Sequence, residues 1–147
     1  MNTLEVAKKC AALLESRDPQ GLQAMLTEDF KARGEARELN KPQTLGFLQI
    51  LFTAFPDHRF GFTDFKQEGD WVHCAGEEMG THTGTLDLKP FGLPIALPPS
   101  GKSFHLPKTK FSFQVAGERI SYYVEEGVSG GGLAGILGQL GVNLPQK

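Results

Sequence analysis

Apolar residues recur at helical spacing along the first third of the chain. Over residues 4–16 they form one wide face, which predicts an amphipathic helix that ends before Pro19. A short second helix is predicted over residues 21–26, and an irregular or short extended piece follows it. The strongest helical pattern spans residues 40–55 and places Pro42 in a first turn, where proline is tolerated.

After residue 57 the apolar pattern changes to the alternation that is typical of strands. Phe60, Phe62 and, after one slip, Phe65 fall at near-alternate positions. Glu68-Gly69-Asp70 and Ala116-Gly117-Glu118 each predict a hairpin turn between two such segments. The four predicted strands span residues 58–66, 71–84, 103–115 and 119–128.

The remaining segments are marked by proline and glycine. Four prolines fall between residues 86 and 101, a density that forbids a regular strand ladder, so we expect an ordered loop or lid there. Residues 129–132 (SGGG) predict a flexible joint, and apolar spacing over residues 133–140 predicts a short closing helix that ends at Gly141.

Helices followed by a strand meander predict an α+β fold, with helices covering one face of an antiparallel sheet. The 147 residues fit a single domain over positions 1–147, and no internal repeat or domain boundary is visible. A strongly bent sheet under helices would form a cone with a hollow interior. Eleven Phe against two Tyr and one Trp fit either a dense core or an apolar pocket, and composition leaves both open.

The charge and the cysteines of the chain limit the kinds of binding partner and the compartment that we expect. The net charge is −2 and no basic run occurs, which argues against nucleic acid. No apolar stretch approaches about 20 residues, so we expect no membrane span. Cys10 and Cys74 form no CxxC motif and the chain starts in a charged segment without a signal peptide, which predicts a cytoplasmic protein with free thiols. His73 and Cys74 diverge on a strand, so no metal site is predicted.

Three ordered patches resemble one family, the SnoaL-like polyketide cyclases and their ester-cyclase relatives. They are Phe55-Pro56-Asp57, the GTHTG of residues 80–84 and the LAGILGQLG of residues 133–141. The resemblance implies the cone-shaped, cystatin-like α+β fold shared with nuclear transport factor 2 and ketosteroid isomerase, with a strongly bent mixed or antiparallel sheet. It also implies a homodimer formed through the outer face of the sheet and a hydrophobic small molecule as ligand.

The chemistry that this resemblance implies is acid/base catalysis without a cofactor, an aldol ring closure in the cyclases. Glu125 falls in the family's carboxylate column near the end of the last long strand. The family's second polar partner falls on Phe111, or on Lys110 if the register slips by one residue. A phenylalanine cannot transfer a proton, so this column also leaves room for a protein that binds without catalysis.

Further candidates follow from strand alternation and from the GTHTG patch. His82 could polarise a substrate carbonyl or be a structural strand-end histidine, and Tyr123 could donate its O–H to an oxyanion. One carboxylate of Glu77-Glu78 must face inward or lie in an interface, and Glu77 would share a face with Trp71 and His73. The predicted catalytic residues are Glu125, His82 and Tyr123, and the predicted ligand-binding residues are Trp71, His73, Glu77, His105, Phe111 and Phe113.

Three functions remain open from the sequence. The first is a cofactor-free acid/base enzyme acting on a hydrophobic cyclic or polyketide-like molecule, in the isomerase, lyase or cyclase class. The second is a dimeric binding module of the same fold. The third is a scaffold whose cone is filled by its own side chains.

Overall fold

The computed structural model describes residues 2–34 and 37–142 of the chain. Within these residues lie four helices and ten strands. Two strands come before the third helix and the fourth helix follows the last strand, so the order is not simply helices first and sheet afterwards. The helices are α1 (Thr3–Glu15), α2 (Pro19–Met25), α3 (Lys41–Ala54) and α4 (Gly132–Gln139). The strands are β1 (Leu26–Arg33), β2 (Glu38–Asn40), β3 (Thr63–Glu68), β4 (Trp71–Gly76), β5 (Met79–Thr81), β6 (Leu86–Asp87), β7 (Ala96–Leu97), β8 (Ser103–His105), β9 (Thr109–Ala116) and β10 (Arg119–Glu125).

Two long helices begin at capping boxes. The Asn2 side chain accepts from the Glu5 N–H and the Glu5 carboxylate accepts from the Asn2 N–H, which satisfies two otherwise unpaired donors of α1. Asn40 and Gln43 repeat this arrangement at the start of α3, where Pro42 occupies the first turn. These local signals explain why both boundaries follow the sequence pattern closely.

The main sheet has six strands in the order β2-β1-β10-β9-β4-β3. β1 pairs with β10 in parallel, and all other neighbours in this sheet pair antiparallel, so the sheet is mixed. Register shifts within the β1–β10, β9–β10 and β3–β4 pairs mark bulges, which bend and twist a sheet. The strongly bent α+β fold expected from the sequence is therefore confirmed.

Two of the long predicted strands break where the chain turns a corner. Residues 71–84 divide into β4 and β5 after Gly76, where a Cβ atom would lie 2.7 Å from the Phe111 ring and 2.8 Å from the Phe60 carbonyl oxygen. Residues 103–115 divide into β8 and β9 at Pro107, which lacks a donor for a ladder. The outer pieces β5 and β8 form their own two-stranded ribbon.

The strand β1 differs most from what the sequence predicts. The sequence indicated an irregular or short extended piece after α2, whereas β1 runs for eight residues in the middle of the molecule. Its sequence LTEDFKAR alternates poorly because only Leu26, Phe30 and Ala32 are buried. Pairing with β2 on one side and β10 on the other stabilises it, and neither contact is visible locally.

The core has two parts. One packs α1, α2 and the start of α3 against the inner face of the main sheet, around Val6, Phe113 and Ile120. The other joins the end of α3 to α4 and to the two small ribbons, around Phe55, Phe104 and Leu137. The proline-rich segment carries β6, β7 and a short 3-10 turn at Lys89–Phe91 between them, so it is an ordered loop. None of the described helices has the length and apolar character needed to cross a bilayer.

Candidate functional site

A cavity of about 140 Å³ lies between the inner face of the sheet and helices α1–α3. Its wall is predominantly apolar, with leucine and phenylalanine side chains from α1, α2, β1, α3 and β9. Glu78, Tyr123 and Glu125 also line it, together with Thr44 and the exposed Arg33. An apolar cavity with a few converging polar groups is the usual form of a small-molecule site.

Tyr123 and Glu125 reach this cavity from the same strand. They are two residues apart on β10 and therefore point to the same face of the sheet. In register, Tyr123 lies opposite Phe113 and Glu125 lies opposite Phe111. The Tyr123 ring stacks against Phe111 with the centroids 5.9 Å apart and tilts against Phe113 at 5.1 Å.

The Tyr123 hydroxyl keeps its proton. Burial raises the pKa of Tyr123 well above its usual value of 10.0, and the neighbouring carboxyls of Glu125 and Glu78 raise it further. A neutral phenol can donate a hydrogen bond to an oxygen on which negative charge develops. Tyr123 is thus a donor that stands within electrostatic range of two acids.

Glu78 lines another part of the wall and forms a buried pair with His58. The Nε2 atom of His58 lies 2.9 Å from Oε2 of Glu78, and the two residues are 0% and 6% exposed. Aromatic rings surround the imidazole, with the Phe60 centroid at 4.4 Å and the Phe52 centroid at 5.8 Å. Nδ1 of His58 is buried and has no hydrogen-bond partner among the described residues.

Several backbone contacts fix this pair in place. Arg17 donates from Nη1 to the His58 carbonyl oxygen at 2.8 Å. The Glu15 carboxylate accepts from the N–H groups of Phe60 and Gly61. The Glu78 carbonyl oxygen accepts from the Leu106 N–H at 2.8 Å. Hydrogen bonds with residues 15 and 17 therefore hold the backbone around His58, and the bond from Leu106 holds the backbone of Glu78.

His82 lies elsewhere. It is fully buried, its Nδ1 atom is 2.8 Å from Oγ of Ser100, and its ring packs against Phe55 with the centroids 5.5 Å apart. Burial lowers the pKa of His82, opposed in part by the backbone of Leu97 and Gly84. It is not among the described residues that line the cavity, so the structure does not bring it together with Glu125 and Tyr123.

Trp71 and His73 share the outer face of β4, and Glu77, which follows the strand, is about half exposed. The Trp71 and His73 rings stack at 6.3 Å, and His73 is 2.7 Å from Oγ of Ser112. The inward carboxylate is Glu78, which corrects the expectation for Glu77. Val72 and Cys74 share the parity of Glu78, but β4 ends at Gly76, so alternation alone does not decide which of the two carboxylates faces inward.

The other predicted ligand-binding residues divide between wall, core and surface. Phe113 lines the cavity, whereas Phe111 is fully buried behind Tyr123 and is not part of the described wall. His105 is exposed, and its Nε2 atom lies 3.0 Å from Oε2 of Glu77. His58 follows the turn after α3, and its complete burial results from Phe52, Phe60 and Phe104, which converge on it from three separate segments.

Both cysteines are free and buried, as expected from their spacing. Burial raises the pKa of Cys10, which lines the cavity, to about 12 and that of Cys74 to about 12. Thiols with such pKa values stay protonated near neutral pH and are poor nucleophiles. The cavity therefore offers carboxyl and phenol groups for chemistry rather than a thiolate.

Comparison with solved structures supports the fold. AclR, a proposed hydroxylase from Streptomyces galilaeus, superposes with a TM-score of 0.73 at 15% identity, covering 95% of both chains. IdmH, a proposed polyketide cyclase from Streptomyces antibioticus, gives a TM-score of 0.70 at 20% identity over 97% of this chain and 100% of its own. A protein of ketosteroid isomerase-like fold from Catenulispora acidiphila, in complex with trimethylamine, gives 0.66 at 17% identity over 94% and 93%.

Comparison of the sequence with family models identifies the family. A comparison with proteins of curated function gave no match. The family model of the SnoaL-like polyketide cyclases matches residues 4–123, which include α1 from Leu4, the cavity wall except Glu125, and β10 as far as Tyr123. With most of its length matched in this way, the chain belongs to the SnoaL-like polyketide cyclase family.

Proposed function

We propose that this protein catalyses cofactor-free proton transfer on a hydrophobic carbonyl compound held in the cavity, with Glu125 as the base. The observation that carries the proposal is that Glu125 and Tyr123 share the inner face of β10 and line one apolar cavity. Membership of the polyketide cyclase family supports a polyketide-like substrate and an aldol ring closure.

The proposed reaction needs a base, a donor and an apolar wall. The Glu125 carboxylate takes a proton from the carbon next to a carbonyl, and the C–H electron pair forms the C=C bond of an enolate. The negative charge collects on the carbonyl oxygen, where the Tyr123 O–H donates a hydrogen bond. In ring closure the enolate carbon then bonds to a second carbonyl carbon, and the new alkoxide takes the proton that Glu125 holds.

A second candidate function is ligand binding without catalysis. It is favoured by Phe111, which occupies the column where the family places a second polar group and contributes only a ring stacked against Tyr123. In that case Glu125 would only orient a polar end of the ligand. The two functions differ in whether removal of the Glu125 negative charge abolishes proton transfer.

We also propose that the protein acts as a homodimer joined through the outer face of the main sheet. Trp71, His73 and Tyr122 form a partly buried aromatic cluster on that face. Aromatic residues of this kind are enriched at protein interfaces. The cavity lies against the opposite, inner face of the sheet, so a dimer of this form does not cover its lining residues.

The ring opening of 5-nitrobenzisoxazole tests the base directly. A base removes its C–H proton, the N–O bond breaks and a coloured cyanonitrophenolate is released. We expect the wild-type protein to accelerate this opening and E125Q to lose about 100-fold or more, since a positioned general base contributes about that much. Equal rates for wild type and E125Q would contradict the proposal and favour the binding module.

The matched control is E126Q. Glu126 is the next residue and is exposed, so its substitution removes the same charge without altering the cavity. We expect E126Q to retain the wild-type rate. Circular dichroism and thermal unfolding of each variant separate a lost base from a lost fold.

A further inference from the structure

We infer that Glu78 is a second catalytic acid, donating a proton to the substrate oxygen, and that His58 is the positioning residue that holds it. This inference rests on the proposed function of the cavity. It assigns to Glu78 the polar role that Phe111 cannot fill.

Burial and contacts set Glu78 apart from the other acidic residues outside β10. It is 6% exposed, whereas Glu77 next to it is about half exposed on the surface. Glu78 lines the same cavity as Tyr123 and Glu125, and its carboxyl acts electrostatically on the Tyr123 hydroxyl together with that of Glu125. Two carboxyls and a phenol therefore meet around one small apolar space.

Stability does not account for the pair. Burying a carboxyl is costly, and buried ionic or polar pairs can often be replaced by apolar residues without loss of stability. Nδ1 of His58 adds a second cost because it is buried without a partner among the described residues. A buried polar group without a partner, next to a residue that lines a cavity, is a candidate for a functional role.

The geometry allows a balanced proton exchange. With the imidazole Nε2–H donating to Oε2, a proton on the other carboxyl oxygen of Glu78 can pass to the substrate oxygen. The Nε2–H then stabilises the carboxylate that remains. Meanwhile Glu125 takes the proton from the carbon, so the products are the enol, a Glu78 carboxylate and a Glu125 carboxyl. Return of both protons restores the starting state.

Two probes distinguish the acid from the base. The first probe is the exchange of the α-hydrogens of 2-tetralone for deuterium in D₂O, measured by NMR. This exchange builds negative charge on the strongly basic oxygen of the ketone, so it needs a group that donates a proton or a hydrogen bond to that oxygen. The second probe is the opening of 5-nitrobenzisoxazole. It releases a weakly basic phenolate that needs little help from an acid, so its rate depends chiefly on the base. Each variant is therefore described by the ratio of its two rates relative to wild type.

We expect E78Q to slow the ketone exchange at least about ten-fold more than the benzisoxazole opening. The control E77Q removes the adjacent surface carboxylate, and its ratio should equal that of wild type. An E78Q ratio equal to wild type would overturn the role of Glu78. Loss of both reactions in E125Q but equal slowing of both in E78Q would leave the proposed function intact and overturn this inference alone.

His58 variants test positioning. Gln at position 58 can place an amide N–H near the Nε2 position, whereas Leu cannot, so H58Q should retain more ketone exchange than H58L. The apolar pair E78M/H58L should fold with stability near wild type while its rate ratio falls as in E78Q. Equal ratios for H58Q and H58L, or a wild-type ratio in the apolar pair, would contradict the inference.

Discussion

At the scale of single residues, His82 illustrates how burial changes the meaning of a motif. The histidine of the GTHTG patch could serve catalysis or structure by sequence alone. The structure places it in the second core, hydrogen-bonded to Ser100 and packed on Phe55. Burial lowers its pKa from the ordinary 6.5, so the folded protein favours the neutral ring.

The lowered pKa of His82 predicts a loss of stability in mild acid. Between the folded and the unfolded pKa the unfolded chain binds more protons, so the free energy of unfolding falls as the pH drops below about 6.5. The contribution is complete above the unfolded pKa, and the loss stops below the folded pKa. We expect H82N, which can keep a hydrogen bond to Ser100, to show a shallower decline in urea unfolding between about pH 7.5 and pH 5. Parallel curves for both proteins would show that His82 does not titrate in this way.

At the scale of elements, two separate sequence motifs turn out to form one junction. The Ala54 carbonyl oxygen at the end of α3 accepts from the N–H groups of Thr83 and Gly84, at 3.2 and 3.0 Å. Asp57 accepts from the Thr81 N–H at 2.7 Å. Burial would raise the pKa of Asp57, but the hydrogen bonds from Thr81 hold it below its usual value. The Phe55-Pro56-Asp57 turn and the GTHTG patch are therefore parts of one corner.

Gly84 permits the close approach of this corner to α3. A Cβ atom at this position would lie 1.9 Å from the Thr53 carbonyl oxygen, a contact that only a backbone shift could relieve. We expect G84A to lower the free energy of unfolding by about 3 kcal/mol or more, measured by urea denaturation. G138A is the control, because nothing lies within 4 Å of the added atom and alanine favours the helix by about 0.5–1 kcal/mol. A G84A protein as stable as wild type would contradict the close packing of Gly84 against the Thr53 carbonyl oxygen.

At the scale of the whole molecule, the bent sheet separates two surfaces with different roles. The inner face carries Phe113, Tyr123 and Glu125 toward the cavity, and the outer face carries Trp71 and Tyr122. Because side chains alternate along a strand, neighbouring residues of β10 serve the two roles without competing for space. The proposed dimer and the proposed catalysis thus use opposite sides of the same strands.

The outer aromatic cluster predicts a solution dimer. The Trp71 and Tyr122 rings lie 6.2 Å apart on a partly exposed face. We expect sedimentation equilibrium to give a dimer for the wild-type protein and a monomer for W71E/Y122E, since burying unpaired carboxylates opposite their symmetry mates is costly. Q23E, on the exposed side of α2, should remain dimeric. A monomeric wild-type protein would refute this interface.

Much of the fold and part of the site followed from the sequence. The helices α1 and α3 were predicted from a single amphipathic face and a clear start, and the slip at Phe65 corresponds to a bulge beside Asp64, which adopts a φ of 59°. An inward Tyr123 was one outcome of strand alternation, and the resemblance to the cyclase family assigned Glu125 to the carboxylate column; both residues line the cavity. The helices and the strand faces depend on local periodicity, which a sequence records directly.

What only the tertiary structure decided was which distant segments meet. The sequence by itself indicated the family through three ordered motifs, and that resemblance also assigned the carboxylate on β10. It predicted the α+β class because patterns of two and 3.6 residues survive in one dimension. It did not determine that Glu78 faces the cavity, that His58 is buried beside it or that His82 is absent from the wall. Those outcomes depend on the corner after Gly76 and on rings converging from three separate segments, and such long-range packing leaves no local periodicity.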